Sequence, residues 1–170
     1  FQNRMKWGAQ KEVFRMIPGL EKAEFVRFGS IHRNTYVQAP KVLDATLQVK
    51  TRPNLWIAGQ LSGVEGYLES AAGGLAAAFA VDRHLRNLEP TPFPRVTVLG
   101  ALLHYLAHAD LKDFGPTNAM IGLLPDLPEG TLDARAAKRA GGRAGLKQAK
   151  GAAHRARALA TMESFLNTVE

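Results

Sequence analysis

Apolar and polar residues recur along the chain with different periods, and these periods predict its elements. Residues 5–17 carry apolar side chains at helical spacing and stop at Pro18-Gly19, which predicts a short helix. Residues 23–28 alternate between apolar and polar side chains, which predicts a strand. Residues 55–58 form a continuous apolar run, typical of a strand buried on both faces of a parallel sheet.

The stretch between those two strands is less regular. We expect short strands at residues 35–37 and 46–49, and a turn or a single helical turn at 39–43. Residues 52–54 combine Arg, Pro and Asn, which predicts a turn before the apolar strand. The resulting fold class is α/β.

The second half of the chain reads as helical. Residues 67–88 predict one long helix. Its apolar stripe follows Leu68, Ala71, Ala72, Leu75, Phe79, Asp82 and Leu85, and its polar end begins at Asp82. Three prolines between 90 and 94 predict a linker, and residues 96–109 a second helix. The Ala-rich tail from 132 to 169 predicts a helix that Gly141, Gly142 and Gly145 interrupt at a cost of about 1 kcal/mol each.

The residue composition excludes some kinds of site and suggests one kind of partner. The chain has no cysteine, which excludes disulfides, thiolate metal sites and a cysteine nucleophile within these 170 residues. The longest apolar run, 75–81, is far shorter than the roughly 20 residues of a membrane span, so we expect a soluble protein. A cytoplasmic location is a separate expectation. The net charge is +7, and residues 131–160 hold eight Lys or Arg and one acid. This tail is either a solvated basic helix or an RNA-facing surface.

Three glycines follow the apolar strand and precede the long helix. Gly59, Gly63 and Gly66 let the backbone bend and let a ligand approach without a Cβ in the way. The helix then begins with its N–H groups and positive dipole end at the bend, where a phosphate or an electron-rich ring edge fits. Gln60 and Ser62 can hydrogen-bond such a ligand.

The glycine spacing excludes two common nucleotide motifs. No Gly-Lys-Ser/Thr occurs, so the bend is not a Walker loop, and the spacing does not give G-x-G-x-x-G. A tight turn with small residues for packing alone is the alternative. The polar bend beside an apolar strand favours a ligand site.

Five stretches resemble the folate- and FAD-dependent tRNA (uracil-5-)-methyltransferase family. They lie at residues 5–20, 25–35, 57–70, 100–110 and 118–125. The resemblance covers about residues 1–130, and the Gly-interrupted tail departs from it. It implies formation of 5-methyluridine in the T-loop of tRNA, with methylenetetrahydrofolate as carbon donor and with FAD and NAD(P)H as reductants.

The resemblance also implies the place of this chain in a longer protein. We interpret it as the C-terminal part of a Rossmann-type FAD-binding domain followed by helices, inactive alone, with its dinucleotide fingerprint and reactive cysteines upstream. Residues 1–50 would return from an inserted domain, 51–89 bind FAD, 90–130 add a helix and a Pro/Gly-rich segment, and 131–170 form the basic tail. The expected FAD-binding residues are Ala58, Gly59, Gln60, Gly63, Val64, Glu65, Gly66 and Tyr67.

Other polar clusters are weaker candidates. His32, Arg33 and Asn34 form a polar group between apolar stretches. We expect His32 and Asn34 to face flavin or folate and Arg33 to contact a carboxylate or phosphate; a hydrogen-bonded loop is the alternative. His104 and His108 have an i, i+4 spacing that suits zinc, but no Glu follows His104, so no metal site is predicted. The candidates for tRNA contact are Lys138, Arg139, Arg143 and Lys147, from a basic set that also includes Lys150, Arg155 and Arg157.

Two rival functions remain. A related FAD family modifies the wobble uridine of tRNA with carboxymethylaminomethyl groups and shares the Ala-Gly-Gln bend, but residues 5–7 and 32–34 fit it poorly. A non-catalytic basic RNA-binding module would explain the charge but not the glycine-rich bend.

Overall fold

The computed structural model describes residues 3–30 and 34–169. The chain divides into two compact units, one ending at Asn34 and one beginning at Thr35. Among the described residues, no helix has both the length and the apolar character of a membrane span.

The first unit is built around helix α1 (Trp7–Phe14), which confirms the helix predicted there. Buried Gln10 closes the unit, because its side-chain amide donates to Met5 O (2.8 Å) and Gly29 O (2.9 Å) while its Oε1 accepts from Gly29 N (2.9 Å). One amide side chain therefore joins both ends of the unit.

The predicted strand at 23–28 is wrong, since these residues form no strand. Phe25 and Phe28, three residues apart, instead stack on each other at 5.5 Å. Phe28 also stacks on Trp7, and Phe25 on Phe14, each at 6.1 Å. The alternating pattern thus reflects aromatic packing against α1 rather than a pleated strand.

The second unit begins with helix α2 (Ala39–Val42) and strands β1 (Gln48–Val49) and β2 (Arg52–Trp56). The two strands pair antiparallel, with Gln48 opposite Trp56 and an irregularity next to it. A short 3-10 helix (Gly59–Ser62) follows, then α3 (Tyr67–Leu85) and α4 (Val98–His108). Another 3-10 turn (Ile121–Leu123) leads to α5 (Ala134–Val169).

The parallel, doubly buried strand predicted at 55–58 is not observed. The strand β2 is exposed along residues 52–55 and pairs antiparallel with β1, because only two residues connect them and a parallel pair needs a long crossover. The turn predicted at 52–54 lies instead at 50–51. Residues 35–37 form no strand, whereas the turn predicted at 39–43 is the helical turn α2.

Helix α4 supplies three large buried side chains of the core. Leu102, Leu103 and Leu106 are at most 2% exposed and pack with Leu43 and Leu47 from the segment before β2. The helix is capped by Thr97, whose hydroxyl accepts from Gly100 N (3.0 Å) and donates to Pro94 O (2.8 Å). Gly100 is required because a Cβ there would collide with the carbonyls of Phe93 and Pro94.

Helix α3 confirms the predicted element but not its predicted inner face. Leu68, Leu75 and Leu85 are 81%, 69% and 73% exposed, whereas Gly73, Ala76 and Ala77 are buried. The neighbouring backbone lies at ordinary van der Waals distance from this face, since a Cβ at Gly73 would be 3.9 Å from Gly59 N. The helix therefore packs through its small residues.

Helix α5 consists of two helical segments, as its glycines predicted. Gly141 and Gly142 have non-helical backbone angles, with φ +60° at Gly142. The longer segment packs on the rest of the second unit through Phe165, whose ring lies 5.2 Å from that of Phe93 and 6.1 Å from that of Phe79. Arg157 adds a second attachment through the carbonyls of residues 125 and 126.

Candidate functional site

The bend between β2 and α3 has the backbone that its glycines predicted. Gly59, Gly63 and Gly66 have φ values of +66°, +94° and +99°, a region that L-residues rarely adopt. Each glycine thus meets a conformational need of the chain, independent of any ligand.

Two hydrogen bonds close the first half of the bend. The hydroxyl of Ser62 donates to Gly59 O at 2.7 Å, and Gly63 N donates to Gln60 O at 3.0 Å. Ser62 is completely buried, so its side chain holds the turn and does not reach a ligand. Gln60 is exposed and keeps its side-chain amide at the surface.

The second half is fixed by a segment more than fifty residues away. Thr117 N donates to Gly63 O (3.0 Å), and Glu65 N donates to Thr117 O (2.9 Å), which forms a short parallel bridge at Val64. The side-chain amide of Asn118 donates to Glu65 O at 3.2 Å. The sequence pointed to residues 118–125 only as part of a resemblance; their support of the bend could not be predicted from their spacing.

The N-terminus of α3 is the exposed feature of the bend. Gly66 is its N-cap without a side-chain cap hydrogen bond, and the following Tyr67 is 99% exposed. Glu69 in the first turn folds back against Gly66, where its Oε2 would touch a Cβ. The helix end therefore combines N–H donors and a positive dipole with one carboxylate.

The remaining residues predicted to bind FAD or folate differ in solvent exposure. Ala58 and Gly59 are half-buried and Glu65 is exposed, whereas Val64 is 1% exposed and so has almost no surface that a ligand could contact. His32 and Arg33 lie outside the described residues. Asn34 is exposed at the end of the first unit.

His104 and His108 lie side by side on α4. Their rings stack with centroids 4.3 Å apart, and the pKa of His104 is lowered, first by burial, then by the positive charge of Arg95 and by His108. The described residues contain no group of three or more His, Cys, Asp or Glu that could hold a metal ion.

The basic residues of α5 are divided by the glycine kink. All four predicted tRNA contacts, Lys138, Arg139, Arg143 and Lys147, are exposed, two before the kink and two after it. Arg157 differs, because its guanidinium donates to Asp126 O (2.7 Å) and Pro125 O (2.6 Å). It anchors the tail, so it is an unsuitable phosphate contact.

The model of the family described as glucose inhibited division protein A matches residues 1–89, more than half of the chain. The chain therefore belongs to this family, with a mixed helix and sheet architecture. A solved structure of GidA from Aquifex aeolicus has a weak likeness, with 24% identity, a TM-score of 0.43, and coverage of 66% of this chain and 20% of that one.

Curated relatives confirm the more specific resemblance. Proteins named methylenetetrahydrofolate--tRNA-(uracil-5-)-methyltransferase TrmFO are similar to this chain: 53% identical over 78% of it in Enterococcus faecalis, and 56% over 75% in Desulforudis audaxviator. A relative in Streptococcus agalactiae is 45% identical over 98% of the chain, a match that reaches into the tail where the sequence suggested a departure. The chain spans 31%, 29% and 35% of these three relatives.

Proposed function

We propose that this chain is the C-terminal part of a folate- and FAD-dependent tRNA (uracil-5-)-methyltransferase, and that residues 58–67 hold part of the flavin dinucleotide. The observation that most supports this proposal is the bend, in which three glycines with positive φ precede the exposed N-terminus of a 19-residue helix. The relatives named as methyltransferases of this type support it.

The residues of the bend fit a flavin. The first-turn N–H groups of α3 can donate to the electron-rich pyrimidine edge of the ring, and the exposed amide of Gln60 can donate to the ribityl chain. Tyr67 offers an exposed ring for packing. The Glu69 carboxylate beside Gly66 disfavours a second anion there, so we assign this helix end to the pyrimidine edge rather than to the pyrophosphate.

The chain's contribution to the reaction is to bind and orient. When bound, reduced FAD supplies electrons for converting the carbon unit of methylenetetrahydrofolate into the methyl group, and NAD(P)H reduces the flavin. The hydrogen bonds of Ser62, Thr117 and Asn118 keep the bend in one conformation, which fixes the donors in advance of binding. We place the tRNA phosphates on the exposed basic residues of α5 and the enzyme in the cytoplasm with its tRNA.

The test uses the full-length protein that carries this chain. We expect the purified protein to contain FAD and to convert unmodified tRNA to a product with 5-methyluridine in the T-loop, detected by mass spectrometry of its nucleosides. Formation of a carboxymethylaminomethyl uridine at the wobble position would instead establish the rival enzyme, and a flavin-free protein that binds RNA would establish the binding module.

A pair of glycine variants tests the site itself. Gly66→Ala adds a side chain at φ +99°, between Glu69 and Asn118, and should lower FAD occupancy at least tenfold. Gly74→Ala on α3, where a Cβ meets nothing within 4 Å, is the matched control and should keep full occupancy. Equal FAD occupancy in both variants would show that the flavin lies elsewhere.

A further inference from the structure

Helix α3 carries a line of leucines that the rest of the described chain leaves uncovered. The leucine stripe, as we name it, consists of six exposed residues: Leu68, Ala71, Leu75, Ala78, Asp82 and Leu85. Its three leucines are 81%, 69% and 73% exposed. Single exposed leucines are ordinary on protein surfaces, but a contiguous apolar line along one helix face marks an interface.

The spacing of the leucine stripe suits a second helix. From Leu68 to Leu85 the steps alternate between three and four residues, which keeps the stripe on one side of α3 for about 26 Å. Alternate steps of three and four are the spacing at which two helices interlock at a shallow crossing angle. The stripe therefore has the form of one half of a helix pair.

The residues of the leucine stripe also differ in size in a regular way. Ala71 stands between Leu68 and Leu75, and Ala78 follows Leu75, so each leucine has a small neighbour beside which a partner side chain can insert. The one charged member, Asp82, already pairs with Arg86 on the same helix at 3.4 Å. Covering the leucines therefore does not require the partner to neutralise this carboxylate.

We propose that a helix from the part of the polypeptide outside this chain packs along the leucine stripe. The chain spans only 31%, 29% and 35% of three of its relatives, so about two thirds of a polypeptide of their length is available to supply that helix. This assignment rests on the proposed function, in which the chain is one part of a longer enzyme. Leu68 directly follows Tyr67, so the covering helix passes beside the helix end that we assign to the flavin.

A second copy of this chain fits the leucine stripe less well. Two α3 helices side by side in the same direction would place their Asp82 carboxylates opposite each other. In the opposite direction, pairing Leu68 with Leu85 would place each Asp82 against Ala71. Both arrangements remove a carboxylate from water with no new donor, whereas a helix of different sequence can supply one.

Cross-linking in the full-length protein identifies what covers the stripe. A photoreactive diazirine amino acid replaces Leu75 in one variant and Leu159, a 60% exposed leucine of α5, in the control. We expect position 75 to cross-link, within one polypeptide, to a segment outside residues 1–170 whose apolar residues recur at three- and four-residue steps, and position 159 not to do so. A cross-linked dimer, or yields equal to the control, would overturn the proposal.

Thermal unfolding of two alanine variants measures whether the leucine is buried in the full-length protein. Leu75→Ala should lower the unfolding temperature by about 4 °C or more, because truncating a packed leucine leaves a cavity. Leu159→Ala removes the same atoms from an exposed position and should leave the temperature unchanged. Equal temperatures for the two variants would show that α3 keeps this face in water, contrary to the proposal. Neither readout depends on flavin or on methylation, so its failure is distinct from a failure of the proposed function.

Discussion

The ring of Phe114 occupies the space where a side chain on Gly63 would stand. A Cβ built on Gly63 would lie 2.9 Å from Phe114 Cζ, closer than real Cβ contacts come. Gly63 also has φ +94° and begins the bridge to Thr117. The glycine is therefore required twice, by its backbone angle and by the ring behind it.

Replacing Gly63 with Ala should destabilise the protein by about 1–3 kcal/mol through the unfavourable backbone angle, with the displacement of Phe114 adding to it. The control is Gly74→Ala in the interior of α3, which should stabilise by about 0.5–1 kcal/mol. Chemical unfolding followed by circular dichroism measures both. A Gly63 variant as stable as its control would contradict the packing described for the bend.

Removing the ring of Phe165 should release the longer segment of α5 from the rest of the second unit. Phe165→Ala takes away the ring that packs on Phe79 and Phe93, and we expect hydrogen exchange to accelerate along residues 143–169. Leu166→Ala, one position further and 52% exposed, should leave exchange unchanged. Similar exchange in both variants would mean that Arg157 alone holds the tail.

The structural role of Gln10 can be tested through the amide of Gly29, which donates a hydrogen bond to its side-chain oxygen. Gln10→Ala leaves Gly29 N and the carbonyls of Met5 and Gly29 without this partner, which should destabilise the first unit by about 1–3 kcal/mol. The amide of Gly29 should then exchange faster. Lys11→Ala, at the exposed neighbouring position, is the control and should leave the protection of Gly29 unchanged. If the amide of Gly29 stayed equally protected in Gln10→Ala, the assignment would be refuted.

The lowered pKa of His104 predicts the direction of a pH effect. The folded pKa lies below the ordinary value of 6.5, so between these two values the unfolded chain binds more protons than the folded one. The contribution of His104 to stability should therefore be fully present above its unfolded pKa and should be lost as the pH drops through this window. Unfolding at several pH values should show a flatter profile for His104→Gln; an identical slope would assign the effect to another group.

The basic tail can be tested by charge removal. Changing Lys138, Arg139, Arg143 and Lys147 to Gln should lower the salt slope of tRNA binding by about 0.9 for each phosphate that the tail no longer neutralises on duplex RNA, by analogy with B-DNA. The control removes four positive charges from exposed sites elsewhere, namely Lys11, Lys22, Lys41 and Lys112. Equal changes of the salt slope in both variants would show that the tail is a solvated helix that does not contact tRNA.

The bend and the helices could be predicted from the sequence because their signals are local. The glycines at 59, 63 and 66 indicate positive φ angles, and the run of small residues that follows them indicates a helix. Each of these signals depends only on residues within a few positions of each other in the sequence. The kink at Gly141 and Gly142 is predictable for the same reason. The apolar run at 55–58 misleads because the partner of a strand is not encoded in the strand itself.

The sequence by itself determined where the chain bends, which segments form the long helices to within about three residues at each end, and which family the chain belongs to. Only the tertiary structure decided which face of α3 is buried, because hydrophobicity favoured its leucines, whereas the folded chain packs against Gly73, Ala76 and Ala77. The tertiary structure also decided that Phe114 lies against Gly63 and that Arg95 lines the same cavity as His104 and His108. Residues this far apart in sequence meet only after the chain has folded. Local angles are set by residue type, whereas contacts depend on packing of the whole unit.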